Sequence, residues 1–190
     1  TGVQTCALPI YLKAIKFQGE WNAMDETRDA FTGHFDTAVD GDQTPYNGAK
    51  SINIRLTRPF AKLRIITTDM EQLNDLGIAP TKATVEYTVD HYNAFNAFAG
   101  KVIGDSKNRD IKHENFEIKD YTDNVDKKSK VLFTDYFFAD DSDVVKFVMN
   151  VNEANGALIK SNTFNTDINV KRNFLTTIKG NILTDGNNIE

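Results

Sequence analysis

Polar and apolar residues alternate with period two along most of the chain, the spacing that gives a strand two distinct faces. In Phe60–Ile66, Ala61, Leu63 and Ile65 fall on one face, with Lys62 and Arg64 on the other. Lys82–Val89 repeats the pattern, with Ala83, Val85, Tyr87 and Val89 inward and Lys82, Thr84, Glu86 and Thr88 outward. Ser51–Leu56 predicts another strand, with Ile52, Ile54 and Leu56 on one side. Ala30–Ala38, Phe116–Tyr121, Val131–Phe138, Val144–Val151, Asn165–Val170 and Phe174–Leu183 are the remaining predicted strands. Helical signal is thin. Asp69 is placed to cap a short helix over Met70–Leu76, closed by Gly77 and followed by Pro80. Turn residues separate the strands at Asp40-Gly41-Asp42, Asn47-Gly48, Gly104-Asp105-Ser106, Asn155-Gly156 and Asp185-Gly186. Polar Lys101–Glu114 reads as a long surface loop. About eight or nine strands with one short helix predict an all-β fold: a single antiparallel or mixed β-sandwich of transthyretin-like or immunoglobulin-like build.

Composition narrows the picture without changing it. A chain of 190 residues, 40% hydrophobic with 13 Phe, is long enough to bury a core without disulfide or metal staples. The formal net charge of −5 argues against nucleic acid as a partner. No apolar run approaches the roughly 20 residues of a transmembrane helix. Residues 30–185 are read as the sandwich domain, and 11–29 as a partial N-terminal segment. Thr1–Ile10 resembles translated sequencing-adapter read-through and is excluded from the fold. On that reading the single cysteine, Cys6, carries no message, and an export signal or lipid anchor is expected to be missing.

Two stretches carry a family resemblance. One is Leu56-Thr-Arg-Pro-Phe-Ala-Lys-Leu-Arg-Ile-Ile-Thr-Thr-Asp69, and the other is Asn169-Val-Lys-Arg-Asn-Phe-Leu-Thr-Thr-Ile-Lys-Gly-Asn-Ile-Leu-Thr184. Together they resemble the fimbrillin-like proteins of anaerobic Gram-negative bacteria. The resemblance implies transthyretin-like sandwich domains exported as lipoproteins to the outer membrane or fimbrium. It also implies pilus assembly with other fimbrial subunits, in which a strand of one subunit completes the sheet of the next. The motif residues make structural sense. Arg58 is held extended by Pro59, so Phe60 packs at the rim while Leu63 fills the core. In the later motif Phe174, Ile178 and Ile182 are spaced to share one face, and Gly180 marks a bulge or a close backbone approach.

Candidate chemistry is sparse. His34, His91 and His113 stand far apart and read as surface or edge residues. Asp140, Asp141 and Asp143, and separately Asp40 and Asp42, read as solvated acidic turns, with calcium the competing reading. Lys127, Lys128 and Lys130 read as a solvated loop. The aromatic runs Tyr92–Phe98 and Phe133–Phe138 read as core, with a sugar-stacking platform as the alternative. Trp21 is expected either to be exposed or to close one end of the sandwich. The chain is therefore expected to be a non-enzymatic structural or adhesive cell-surface subunit with no cofactor, metal or catalytic residue. The alternative is a surface module that binds a glycan or protein of the host or of other bacteria.

Overall fold

The computed structural model describes residues 12–17, 19–33, 54–104, 107–108, 111–121 and 128–185. In chain order the strands are β1 (Ile15–Lys16), β2 (Phe60–Thr67), β3 (Lys82–Tyr87), β4 (His91–Tyr92), β5 (Ala94–Asn96), β6 (Lys101–Val102) and β7 (Lys107–Asn108). They continue with β8 (Lys112–Glu117), β9 (Lys119–Asp120), β10 (Lys130–Phe138), β11 (Asp143–Asn152), β12 (Leu158–Val170) and β13 (Leu175–Gly180). An α-helix, α1 (Met70–Asp75), links β2 to β3, and a 3₁₀ turn covers Glu26–Arg28. The protein is an all-β sandwich. One sheet runs β13-β2-β10-β4-β7, with β9 also on β10, and the facing sheet runs β12-β11-β3-β8. A small sheet, β1-β5-β6, shares no ladder with either. Among the described residues the strand pairings are antiparallel except β13 on β2, which makes the first sheet mixed.

The alternation read from the sequence sets the core. Ala61, Leu63 and Ile65 of β2 have no exposed surface, and Ala83, Val85 and Tyr87 of β3 meet them from the opposite sheet with Val145, Phe147, Met149 and Val151 of β11. A second cluster joins Phe60, Phe95, Tyr136 and Phe138, with Phe17 and Ile15 packed on it. It lies on the outer face of β2 and β10, because Phe60, Tyr136 and Phe138 alternate with the inward residues of those strands. The N-terminal segment, residues 12–33, covers this face as a strap. Its β1 pairs β5, and the Met24 N–H donates to the Thr134 carbonyl at 2.8 Å.

Several expectations change. Ile54 and Leu56 are exposed and lie outside any strand; Ile52 and Ser51 fall outside the described residues. Of Ala30–Ala38, the described part contributes only the bridge Thr32↔Thr57. The expected Lys101–Glu114 loop contains β6, β7 and the start of β8. β3 stops at Tyr87, short of Val89, while β12 begins at Leu158 rather than Asn165. The predicted Phe116–Tyr121 strand is split between β8 and β9. Helix α1 stands where expected, with Gly77 at φ 71 behind it, although the Asp69 side chain makes no capping bond.

Candidate functional site

The two sequence motifs, more than a hundred residues apart, lie side by side. β13 runs parallel to β2 in unbroken register, from Leu175↔Lys62 to Gly180↔Thr67. Side chains of both motifs fasten the ends. Asn173 adopts φ 68, a left-handed conformation that Asn tolerates better than most residues. There its Oδ1 accepts the Arg58 N–H at 2.9 Å, while its own N–H donates to the Phe60 carbonyl at 2.7 Å. At the far end Thr68 Oγ1 donates to Asn181 Oδ1 at 2.8 Å. Asp69, 2% exposed, accepts from the N–H groups of Leu183 and Thr184 at 2.8 and 2.7 Å, and from the hydroxyls of Thr184 and Thr67. Asp69 ties the chain beyond β13 to the end of β2 instead of capping the helix.

The motif residues fall into different environments. Leu63 and Phe60 are buried, and Ile182 is buried in the turn after β13. Ile178 packs half-buried against the core, but Phe174 is 58% exposed, so the three do not share one buried face. Phe174 precedes the strand; its carbonyl accepts from the Lys62 N–H, and its own N–H donates to the Lys171 carbonyl at 3.1 Å. Gly180 marks neither a bulge nor a close approach: the register there is unbroken, φ is not left-handed, and a Cβ would meet nothing within 4 Å. Arg58 reaches away from the core, with Nη2 2.8 Å from Asp29 and its guanidinium over the Phe31 ring.

β13 ends its sheet, so one side of it faces no strand among the described residues. Lys62 N–H bonds to the Phe174 carbonyl and Thr68 N–H to the Gly180 carbonyl, which directs the even-numbered backbone groups toward β2. The amides and carbonyls of Leu175, Thr177 and Lys179 therefore point to the open side. All three residues are exposed.

Other edges carry protection. On β12 four residues, 165–168, follow Phe164 where only two, 146–147 read back from Val145, advance on β11, a bulge that bends the strand. β8 has a register shift and Asn115 at φ 50, and β7 is two residues long. Short strands and bulges are the usual guards against edge pairing. β13 has none of these and offers a single charge, Lys179.

The histidines expected at the surface are buried instead: His91 and His113 are 4% and 5% exposed, while His34 lies outside the described residues. His113 lies against Asp135, an acid on an otherwise apolar strand face. Oδ1 of Asp135 accepts from Trp21 Nε1 and the Tyr136 N–H, both at 2.8 Å. Oδ2 accepts from the Tyr87 hydroxyl at 2.8 Å and lies 3.1 Å from His113 Nε2. Burial, then the neighbouring Asp135, pushes the Tyr87 phenol well above its ordinary range. The His91 ring packs on Tyr87 with centroids 4.2 Å apart. Trp21 thus plugs the sandwich with a hydrogen-bonded indole. A His–carboxylate pair is a catalytic arrangement when it faces a substrate. Here the carboxylate is filled with core donors, and the cavity beside Trp21 is lined by Lys16, Phe17, Gly19 and Asn93 without either partner.

Asp140 donates its N–H to Asp143 Oδ2 at 2.7 Å, and Asp141 pairs with Arg172. Asp40 and Asp42 lie outside the described residues. Among the described residues no group of three or more His, Cys, Asp or Glu is placed to hold a metal ion, and no helix is long and apolar enough to cross a membrane. Phe95, Phe133, Phe137 and Phe138 are core residues, leaving Phe98 half in solvent. Lys128 pairs with Glu71 and Lys130 with Asp120; Lys127 is outside the described residues.

The fold and this edge define an all-β sandwich domain whose mixed sheet, among the described residues, ends in β13. The chain belongs to the family described as "Family of unknown function (DUF6562)", which matches residues 11–190. No curated protein and no solved structure matches it.

Proposed function

We propose that this domain is a structural or adhesive subunit of a bacterial surface fimbria and that it assembles by strand addition at β13. The observation that carries this reading is the open edge: six residues in unbroken register, without proline or bulge, beside exposed Phe174 and Leu175. An added strand gains main-chain hydrogen bonds along Leu175, Thr177 and Lys179, and apolar side chains at its end find Phe174 and Leu175. The motif resemblance supplies the cellular setting, display at the outer membrane or in a fimbrium.

The test exploits backbone direction. Thr177→Pro removes an N–H that points away from β2, so the fold is expected to survive with little change in Tm, while strand addition is blocked. Ile178→Pro removes a bond to β2 and is expected to unfold the edge. Assembly is followed by analytical ultracentrifugation and negative-stain microscopy, with and without peptides from co-encoded fimbrial subunits. Wild-type assembly or peptide-induced stabilisation that disappears in Thr177→Pro supports the proposal. A wild-type chain that stays monomeric and gains no thermal stability from any such peptide overturns it.

A further inference from the structure

On the outer face of the mixed sheet, beneath the strap, lies a cavity of about 230 Å³ lined by Glu26, Arg64, Lys119, Asp120, Tyr121 and Thr134, among others. Three independent observations at this place point to a ligand. The first is an underused guanidinium. Arg64 offers five N–H donors. Among the described residues its guanidinium makes one loose ion pair, Nη2 to Glu26 at 3.8 Å, and its solvent-shielded Nε has no acceptor.

The second is charge. Lys62 pairs with Glu26 at 2.6 Å, Lys130 with Asp120 at 3.2 Å, and Lys179 stands over the Tyr121 ring. Of the residues that line the cavity, Arg64 and Lys119 are cations and Glu26 and Asp120 are acids, and Lys119 Nζ already donates to the Met24 carbonyl at 3.0 Å. Both acids are matched by lysines from outside the lining, Lys62 and Lys130, which leaves Arg64 as the lining cation with donors to spare. The third is the mixture of partners. A tyrosine ring, a threonine hydroxyl and two carboxylate acceptors border the same space, which suits a hydroxylated ring better than a bare ion.

We infer that this cavity binds an acidic sugar residue, with the Arg64 guanidinium taking its carboxylate and Tyr121, Thr134 and the two acids holding the ring and its hydroxyls. Arginine suits the role because its planar fork matches a carboxylate with two parallel donors. The space fits one ring, so the site reads a terminal or single exposed residue.

The experiment is ligand-detected NMR with competition, using the full chain and three probes: glucuronate, glucose and acetate. Glucuronate is expected to bind at least about tenfold more tightly than glucose, the discrimination of one good charge-assisted contact. It is expected to exceed acetate by a similar factor, because acetate lacks the ring. Arg64→Gln is expected to abolish the preference over glucose. Tyr121→Ala, at a half-exposed position, is expected to abolish the preference over acetate without lowering Tm, and it serves should Arg64→Gln fail to fold. Equal binding of glucuronate and acetate, equal binding of glucuronate and glucose, or no binding of glucuronate each overturns the inference.

Discussion

Two buried aspartates organise their surroundings at the scale of single residues. Asp69 gathers donors from three residues at the meeting point of both motifs. Asp69→Ala leaves the Leu183 and Thr184 amides without their acceptor and is expected to cost about 2–4 kcal/mol by urea unfolding. Asp69→Asn is expected to cost about half as much, because one amide oxygen can replace Oδ2 while the Thr67 hydroxyl turns to accept. Asp135 acts similarly in the core, where its two oxygens hold Trp21, Tyr87 and the Tyr136 amide. Asp135→Ala is expected to cost about 3 kcal/mol or more, and to red-shift fluorescence of the single tryptophan as the indole loses its anchor. A tryptophan spectrum unchanged in a folded variant would contradict the plug. Neither acid's actual role was legible in the sequence. Asp69 read as a helix cap, since the sequence neighbours Met70–Leu76 were visible and Thr184 was not. Asp135 sat unremarked in an apolar run, because its partners come from three distant segments.

At the scale of elements, the strap is held by charge as much as by packing. The Arg58 guanidinium beside Asp29 holds that carboxyl below its ordinary range, opposed by partial burial. Hydrogen bonds from Thr27 do the same for Asp25. For Glu26, burial works against ionisation, but hydrogen bonds from Lys62 and the Tyr136 hydroxyl outweigh it and the carboxyl is lowered. The Tyr136 phenol in turn is pushed far up by burial and by Glu26.

A carboxyl lowered in the folded state stabilises it fully above its unfolded pKa, about 4 for Asp and Glu, and that stabilisation is lost as pH falls through the folded value. The strap is therefore expected to loosen below about pH 4, not on the alkaline side. Stability curves of wild type and Asp29→Asn should run parallel from neutral pH to that region and converge below it. A gap that persists undiminished at the acid end would refute the attribution to Asp29. The strap was the least legible element, because its backbone makes few regular bonds and its contacts are ionic and aromatic. Phe17 on Phe60 and Phe138, and Glu26 on Lys62, have no periodicity to announce them.

For the whole molecule, the assignment of inside and outside in β2 and β3 followed from period-two alternation alone. A strand's faces are set by local geometry, and burying one apolar face is the largest favourable term available. That same logic failed for Ile54 and Leu56, whose alternation finds no sheet to join, and for Phe174, which fits the spacing but precedes the strand. It failed also for His91 and His113. Polar aromatic residues enter a core only when long-range partners satisfy them, and those partners are tertiary facts.

The sequence by itself determined an all-β sandwich, its principal core residues and two motifs of structural weight. The tertiary structure alone decided that these motifs are parallel neighbours, that β13 ends its sheet among the described residues, and that Arg64 of β2 and Lys119 of β9 border one cavity. The physical reason is range. Alternation and turn chemistry act between neighbours in the chain, whereas strand order, edge exposure and the filling of buried hydrogen bonds depend on which distant segments meet.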